Sequence, residues 1–270
     1  MRTIAQISDL HFGRHDPAIA EALLARINTG RPHLVVVSGD FTQRARSSEF
    51  TAAKAFLERV AAPKIVVPGN HDVPLYNLPS RFFRPFDKYN RFIRPAGLPS
   101  AFFADDEVAV LGLNSARRLT RKNGRVSYVQ LDEIRRTFGP LPSSVFKVLV
   151  THHPLAAPRN ELTLELAGRA RKALDVVAEC GIHLLLSGHH HRALSGGIMA
   201  EAARGSAVLI VHAGTAISTR TRGAEGNSFN LIRLERSRVD ITVVGWQAER
   251  GYADIGTTSY LFEEGSWRAV

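Results

Sequence analysis

The stretch KIVVPGNHD, residues 64–72, runs from an apolar, β-branched segment straight into an amide, an imidazole and a carboxylate. A short run of this kind bounded by Pro and Gly reads as a strand. The polar residues fall at its carboxyl end. The same arrangement recurs along the chain: TIAQIS leads to Asp9, HLVVVS to Asp40, VFKVLVT to His152 and IHLLLSG to His189. In open α/β sheets the ligand crevice lies outside the carboxyl ends of the strands. Five strands therefore deliver acids, amides and imidazoles to one edge of a sheet.

Between these strands the period changes to that of helices. AIAEALLARI begins near Pro17, and SEFTAAKAFLERVA (48–61), YVQLDEIRRTF (128–138) and LTLELAGRARKALDVVAE (162–179) follow, with VAVLGLN (108–114) as a further strand. The fold class is α/β. RFFRPFDKYNRFIRP, 81–95, spaces Phe82, Phe86, Tyr89 and Ile93 as one helix would, with Pro85 in its first turn. Core packing is the ordinary reading, and its place after GNHD also makes it a candidate wall over the polar edge. From residue 197 the helical period disappears, and SAVLIVHAG, SFNLIRLER and RVDITVVGW read as antiparallel strands.

With 270 residues and 44% hydrophobic composition, the chain suits a single domain, 1–270. The opening MRTIAQIS is followed at once by Asp9 and His11, which leaves no apolar core for a secretory signal. No apolar run reaches the ~18 residues of a membrane span. The expected location is the cytoplasm, with no membrane partner. Cys180, the single cysteine, has no partner for an intramolecular disulfide and reads as a small buried hydrophobe. A net charge of +10 suits an anionic partner, but the arginines are spread along the chain. The densest basic run is RRLTRKNGR, 117–125, a candidate substrate contact, although most such runs are solvated loops.

Taken in order, the polar segments are SDLH (Asp9, His11), SGD (Asp40), PGNHD (Asn70, His71, Asp72), THHP (His152, His153) and SGHHH (His189, His190, His191). Each is weak alone; five at strand ends in this order are not. The series resembles the calcineurin-like metallophosphoesterase superfamily, and within it the class III cyclic nucleotide phosphodiesterases and related bacterial phosphodiesterases. That resemblance covers residues 9–191. It implies a four-layer α/β/β/α sandwich of two mixed sheets flanked by helices, with a binuclear metal centre at one edge. Position by position, it implies Asp9, His11 and His191 as ligands of one ion, Asn70, His152 and His189 as ligands of the other, and Asp40 bridging both. The donor set, imidazole with carboxylate and amide and no thiolate, favours Mn, Fe or Zn.

The implied reaction is hydrolysis of a small-molecule phosphodiester, of the cyclic nucleotide or glycerophosphodiester type, by in-line attack of a metal-bridging hydroxide. His71 is expected to protonate the leaving oxygen, and Asp72 to orient His71. His189 and His191 alternate if the chain is extended there, which would turn His190 away. His153 reads as support for a ligand or as substrate-facing. His212 follows another strand and either lines the pocket or is structural. In the loop 218–227, Arg220 and Arg222 are candidate phosphate contacts. Phosphomonoester or nucleotide hydrolysis is the alternative enzyme reading. A nuclease is encouraged by the charge, but no recognised nucleic-acid module is present. A non-catalytic scaffold is disfavoured because every ligand position is filled. A homodimer is left open.

Overall fold

The computed structural model describes residues 1–94, 101–120, 122–158, 164–199, 207–221 and 226–270. Strands β1 (Arg2–Ile7), β2 (Leu34–Val37) and β3 (Lys64–Val66) run parallel. From β1 the sheet is extended antiparallel by β10 (Ser228–Leu234), β11 (Arg238–Gln247), β12 (Gly251–Glu263) and β13 (Ser266–Ala269). The second sheet holds β4 (Ala101–Ala104), β5 (Val108–Gly112), β6 (Phe146–Val150), β7 (Leu184–Ser187), β9 (Ala207–His212) and β8 (Leu194–Met199), in that spatial order. Its four inner strands are parallel, and β4 and β8 close its edges antiparallel.

The layering follows from strand period. Successive side chains point to opposite faces, so Ile4, Leu34, Val36 and Ile65 of the first sheet meet Val110, Val148, Leu184, Leu186 and Leu209 of the second in one buried cluster. The alternate residues, Ala5, Ile7, Val35 and Val37, pack beneath helices α1 (Pro17–Gly30) and α2 (Ser47–Glu58), through Leu23, Ile27, Phe50 and Phe56. Ala109, Leu111, Leu149 and Leu185 pack in the same way beneath α5 (Tyr128–Phe138) and α6 (Ala170–Glu179). Three apolar interfaces make four layers, α/β/β/α. Among the described residues no helix is long and apolar enough to cross a membrane.

Four readings of the sequence need correction. The stretch 81–94 is two short helices, α3 (Leu78–Phe83) and α4 (Asp87–Phe92), because Pro85 disfavours helical backbone at Arg84, which sits at φ −140° and ψ 54°. Tyr89 and Ile93 enter the core while Phe82 and Phe83 face solvent. Helix α6 begins only at Ala170, since Gly168 bridges to Arg125 and Arg169 is left-handed at φ 63°; residues 162 and 163 lie outside the described set. Strand β9 is antiparallel only to β8 and pairs parallel with β7. Strands β4, β8, β12 and β13 carry too little apolar alternation to have been expected.

Candidate metal centre

Just past the carboxyl ends of β1, β2, β3, β6 and β7 lie Asp9, Asp40, Asn70, His152 and His189. The turns that carry them are tight. Asp9, His11, Asp40, His189 and His191 all have positive φ, between 47° and 75°, a region that Asp and His enter more readily than most residues and that clusters at functional sites. Glycines let the turns interlock: a Cβ on Gly69 would meet the Asp40 carboxylate, and one on Gly188 would meet Ser8 Oγ and Asp9 Oδ2.

Two donor groups adjoin. In the first, His191 Nε2 is 3.2 Å from Asp9 Oδ1 and 3.3 Å from His11 Nε2, which itself lies 3.7 Å from Asp9 Oδ1 and from Asp40 Oδ2. In the second, His152 Nε2 lies 3.2 Å from Asn70 Oδ1, 3.3 Å from His189 Nδ1 and 3.4 Å from Asp40 Oδ2. Asp40 Oδ2 is therefore common to both. Its other oxygen, Oδ1, accepts the His71 backbone N–H at 2.8 Å, which fixes the carboxylate with Oδ2 between the two groups. Asp9 is oriented in the same way: Oδ2 accepts Ser8 Oγ–H at 2.6 Å and the His189 backbone N–H at 3.1 Å, leaving Oδ1 facing inward.

The imidazoles are oriented by carbonyls, which can only accept. His152 Nδ1 lies 2.7 Å from Ser38 O and His191 Nδ1 lies 3.3 Å from Arg220 O. Each Nδ1 then carries the hydrogen and each Nε2 turns to the cluster. These residues fit divalent ions on a structural test. Asp9 Oδ1, the carboxylate oxygen that faces the cluster, is buried with no hydrogen-bond partner, and buried polar atoms are otherwise almost always satisfied. Burial opposes charge on Asp9, yet His191 and His11 hold its carboxyl well below the usual range. Burial likewise opposes the His152 cation, but Asp40 carries it up to about 9. His189 is pushed down to about 2 by burial and by His152 and His153. A site that gathers carboxylates and imidazoles out of water in this way is stabilised by a cation.

The other expected residues divide. His71 sits at the rim, its ring 4.8 Å from that of His11. Its Nδ1 is 2.8 Å from the Gln43 carbonyl, so Nε2 is the free nitrogen. Asp72 does not orient it, contrary to expectation. The Asp72 oxygens accept the backbone N–H groups of Phe41, Thr42 and Gly69 and the Thr42 hydroxyl, because these donors surround the buried turn. Burial, with Asp40 as a negative neighbour, pushes the Asp72 carboxyl up. His190 turns from both donor groups, with Nε2 3.3 Å from Glu165 O. The reason is not alternation along an extended chain, since His189 and His191 are left-handed.

His153 and His212 are both buried. His153 lies close enough to His152 and His189 to share an ion, but Nδ1 is engaged by Ser115 Oγ and Nε2 by Lys122 O, both at 2.8 Å. Burial, then the His152 charge, pushes it down to about 3. It braces the rings of His152 and His189, 4.8 and 4.6 Å away. His212 is enclosed, with Nδ1 2.5 Å from Ser187 Oγ. Arg220 supplies its carbonyl to His191, and its guanidinium donates to Gln43 Oε1 at 3.4 Å. Arg222 lies outside the described residues. Gln43 and Ser115 were missed in the sequence. Gln43 acts on His71 through its main chain, which leaves no signature.

Comparison with known proteins agrees with this geometry. The family model described as calcineurin-like phosphoesterase matches residues 2–193. A 3',5'-cyclic adenosine monophosphate phosphodiesterase, CpdA, of Escherichia coli (strain K12) is 27% identical over 205 residues, 71% of this chain and 70% of its own. A probable glycerophosphodiester phosphodiesterase, GpdQ, of Arcobacter nitrofigilis is 27% identical over 165 residues, 60% of this chain and 58% of its own. Among solved structures, a dimetal phosphatase from Danio rerio superposes with a TM-score of 0.66 at 15% identity, covering 97% of this chain and 99% of that one, a likeness of fold. With the motif series, the four-layer sandwich and the family match over most of its length, the chain belongs to the calcineurin-like phosphoesterase family and is a metal-dependent phosphoester hydrolase.

Proposed function

We propose that the protein hydrolyses small-molecule phosphodiesters of the cyclic nucleotide or glycerophosphodiester type. The observation that supports this most is the single oxygen, Asp40 Oδ2, shared between two donor groups at 3.7 and 3.4 Å. Asp9, His11 and His191 would hold one ion, Asn70, His152 and His189 the other, and Asp40 both. When bound, the ions supply positive charge for the phosphoryl oxygens and an activated water. The chain's own residues do the rest. Ser38 and Arg220 hold imidazoles in the tautomer that presents Nε2. The Gln43 carbonyl holds His71 with Nε2 at the rim, placed to give a proton to the leaving oxygen. The diester preference draws on the names of the two relatives, CpdA and GpdQ.

The test uses purified protein loaded with Mn, Fe or Zn, assayed on bis(p-nitrophenyl) phosphate, p-nitrophenyl phosphate, cyclic nucleotides and glycerophosphodiesters. Diester turnover should exceed monoester turnover, and His71→Ala should lower diester kcat by roughly 10²-fold with metal content unchanged. Activity confined to monoesters would contradict the diester reading. Turnover of long DNA or RNA alone would do the same in favour of a nuclease.

A further inference from the structure

On the same edge as the metal centre, the basic run 117–125 meets the segment before α6. Arg125 pairs with Gly168, its side chain lying along that glycine's backbone. The next residue, Arg169, donates to Val126 O at 3.0 Å and places its guanidinium carbon 4.4 Å from the centre of the exposed Tyr128 ring. One turn on, Lys172 Nζ lies 4.9 Å from that centre and donates to Tyr128 Oη at 2.8 Å. Arg117 is pinned by Asn114 O and Ala116 O at 2.9 Å and by Gln130 Oε1 at 2.6 Å.

Arg117, Arg169 and Lys172 are held by hydrogen bonds to neutral groups, and the exposed Arg125 side chain lies along Gly168. Among the described residues no carboxylate lies within ion-pair distance of Arg117, Arg125, Arg169 or Lys172, whereas Arg59, Arg135 and Lys122 pair with Glu21, Glu179 and Glu165. Burial, and then the charges of Arg125 and Arg169, pull Arg117 below its usual range. Like charges gathered and held without a counter-ion form a surface for an oxyanion, and guanidinium matches phosphate geometry. The surface adjoins the chemistry: Gly124, preceding Arg125, packs on the His153 ring, which itself contacts the rings of His152 and His189.

We propose that Arg117, Arg125, Arg169 and Lys172 form a phosphoryl-binding subsite for a second phosphate of the substrate, beside the phosphodiester that is cleaved. The preferred substrate is then a diester bearing a further phosphoryl group, which rests on the phosphodiesterase reading. The experiment compares thymidine dinucleotides with and without a 5'-phosphate on the metal-loaded full chain. Binding is measured by calorimetry with uncleavable methylphosphonate linkages, and turnover with natural linkages. The 5'-phosphate should tighten binding at least tenfold. Arg125→Glu/Arg169→Glu, and the milder Arg125→Gln/Arg169→Gln, should remove that gain while leaving turnover of bis(p-nitrophenyl) phosphate within about twofold. Equal affinity for the two dinucleotides, or a gain that survives both variants, overturns the subsite. Loss of all diester turnover with the binding gain intact would instead remove the phosphodiesterase reading and keep the subsite.

Discussion

At the scale of single residues, identity and backbone geometry together decide which of three consecutive histidines faces the cluster. His189 and His191 reach it through left-handed backbone, and His190 goes to the Glu165 carbonyl. His190→Ala should therefore retain two ions per chain and His189→Ala should lose one, as measured by elemental analysis after dialysis. Equal loss in both would contradict the geometry. Asp9, Asp40, Asn70, His152 and His189 stood out in the sequence because each follows an apolar run at a strand end, whereas His11 and His191 stood out only through the motif series. The orientation of Asp72 was not. Its oxygens serve main-chain N–H groups and a neighbouring hydroxyl, and main-chain donors are the same at every non-proline residue. His71 was similarly given a carboxylate partner where the chain provides a carbonyl, Gln43 O.

At the scale of elements, the legible pieces have both a period and a boundary. Helix α5 matches the stretch read from the sequence because Ser127 caps it, accepting the Gln130 N–H, and Leu131, Ile134 and Phe138 form its buried face. Helix α6 was overextended because the four-residue spacing of Leu162, Leu166, Ala170 and Leu174 runs straight through Gly168, where pairing with Arg125 halts the helix. The turn after β7 is the most demanding element. A methyl at Gly188 would overlap both Ser8 Oγ and Asp9 Oδ2. Gly188→Ala should cost about 1–3 kcal/mol in urea denaturation, the range for overpacking a filled interior, and should displace Asp9 enough to weaken its ion. A cost below about 0.5 kcal/mol, ordinary for a surface substitution, would show that the turn relaxes freely.

At the scale of the whole molecule, three apolar interfaces hold four layers in register and bring five strand ends to one edge. The far edge, where β6 and β7 begin, carries a pH dependence of its own. His183 stacks on Phe146 at 4.8 Å and accepts the Lys147 N–H. Burial, with the Lys147 charge as a lesser cause, pushes it down to about 4. An unfolded histidine titrates near ~6.5, so between that pH and 4 the unfolded chain binds more protons here than the folded one. The stability from neutral His183 is then complete above about 6.5 and is lost as pH falls toward 4, by about 2–3 kcal/mol. His183→Gln should lose less stability than the parent chain over that interval, followed by Tm from pH 7 to 4. Parallel curves would assign the acid sensitivity elsewhere.

The sharing of Asp40 Oδ2 between two donor groups is the feature on which the rest depends. Electron paramagnetic resonance of the Mn²⁺-loaded chain tests it most directly, combined with the metal content of the same sample. Two ions per chain with an exchange-coupled spectrum are expected, and Asp40→Ala should abolish the coupling. One ion per chain, or two ions with independent spectra, would contradict a shared bridging carboxylate.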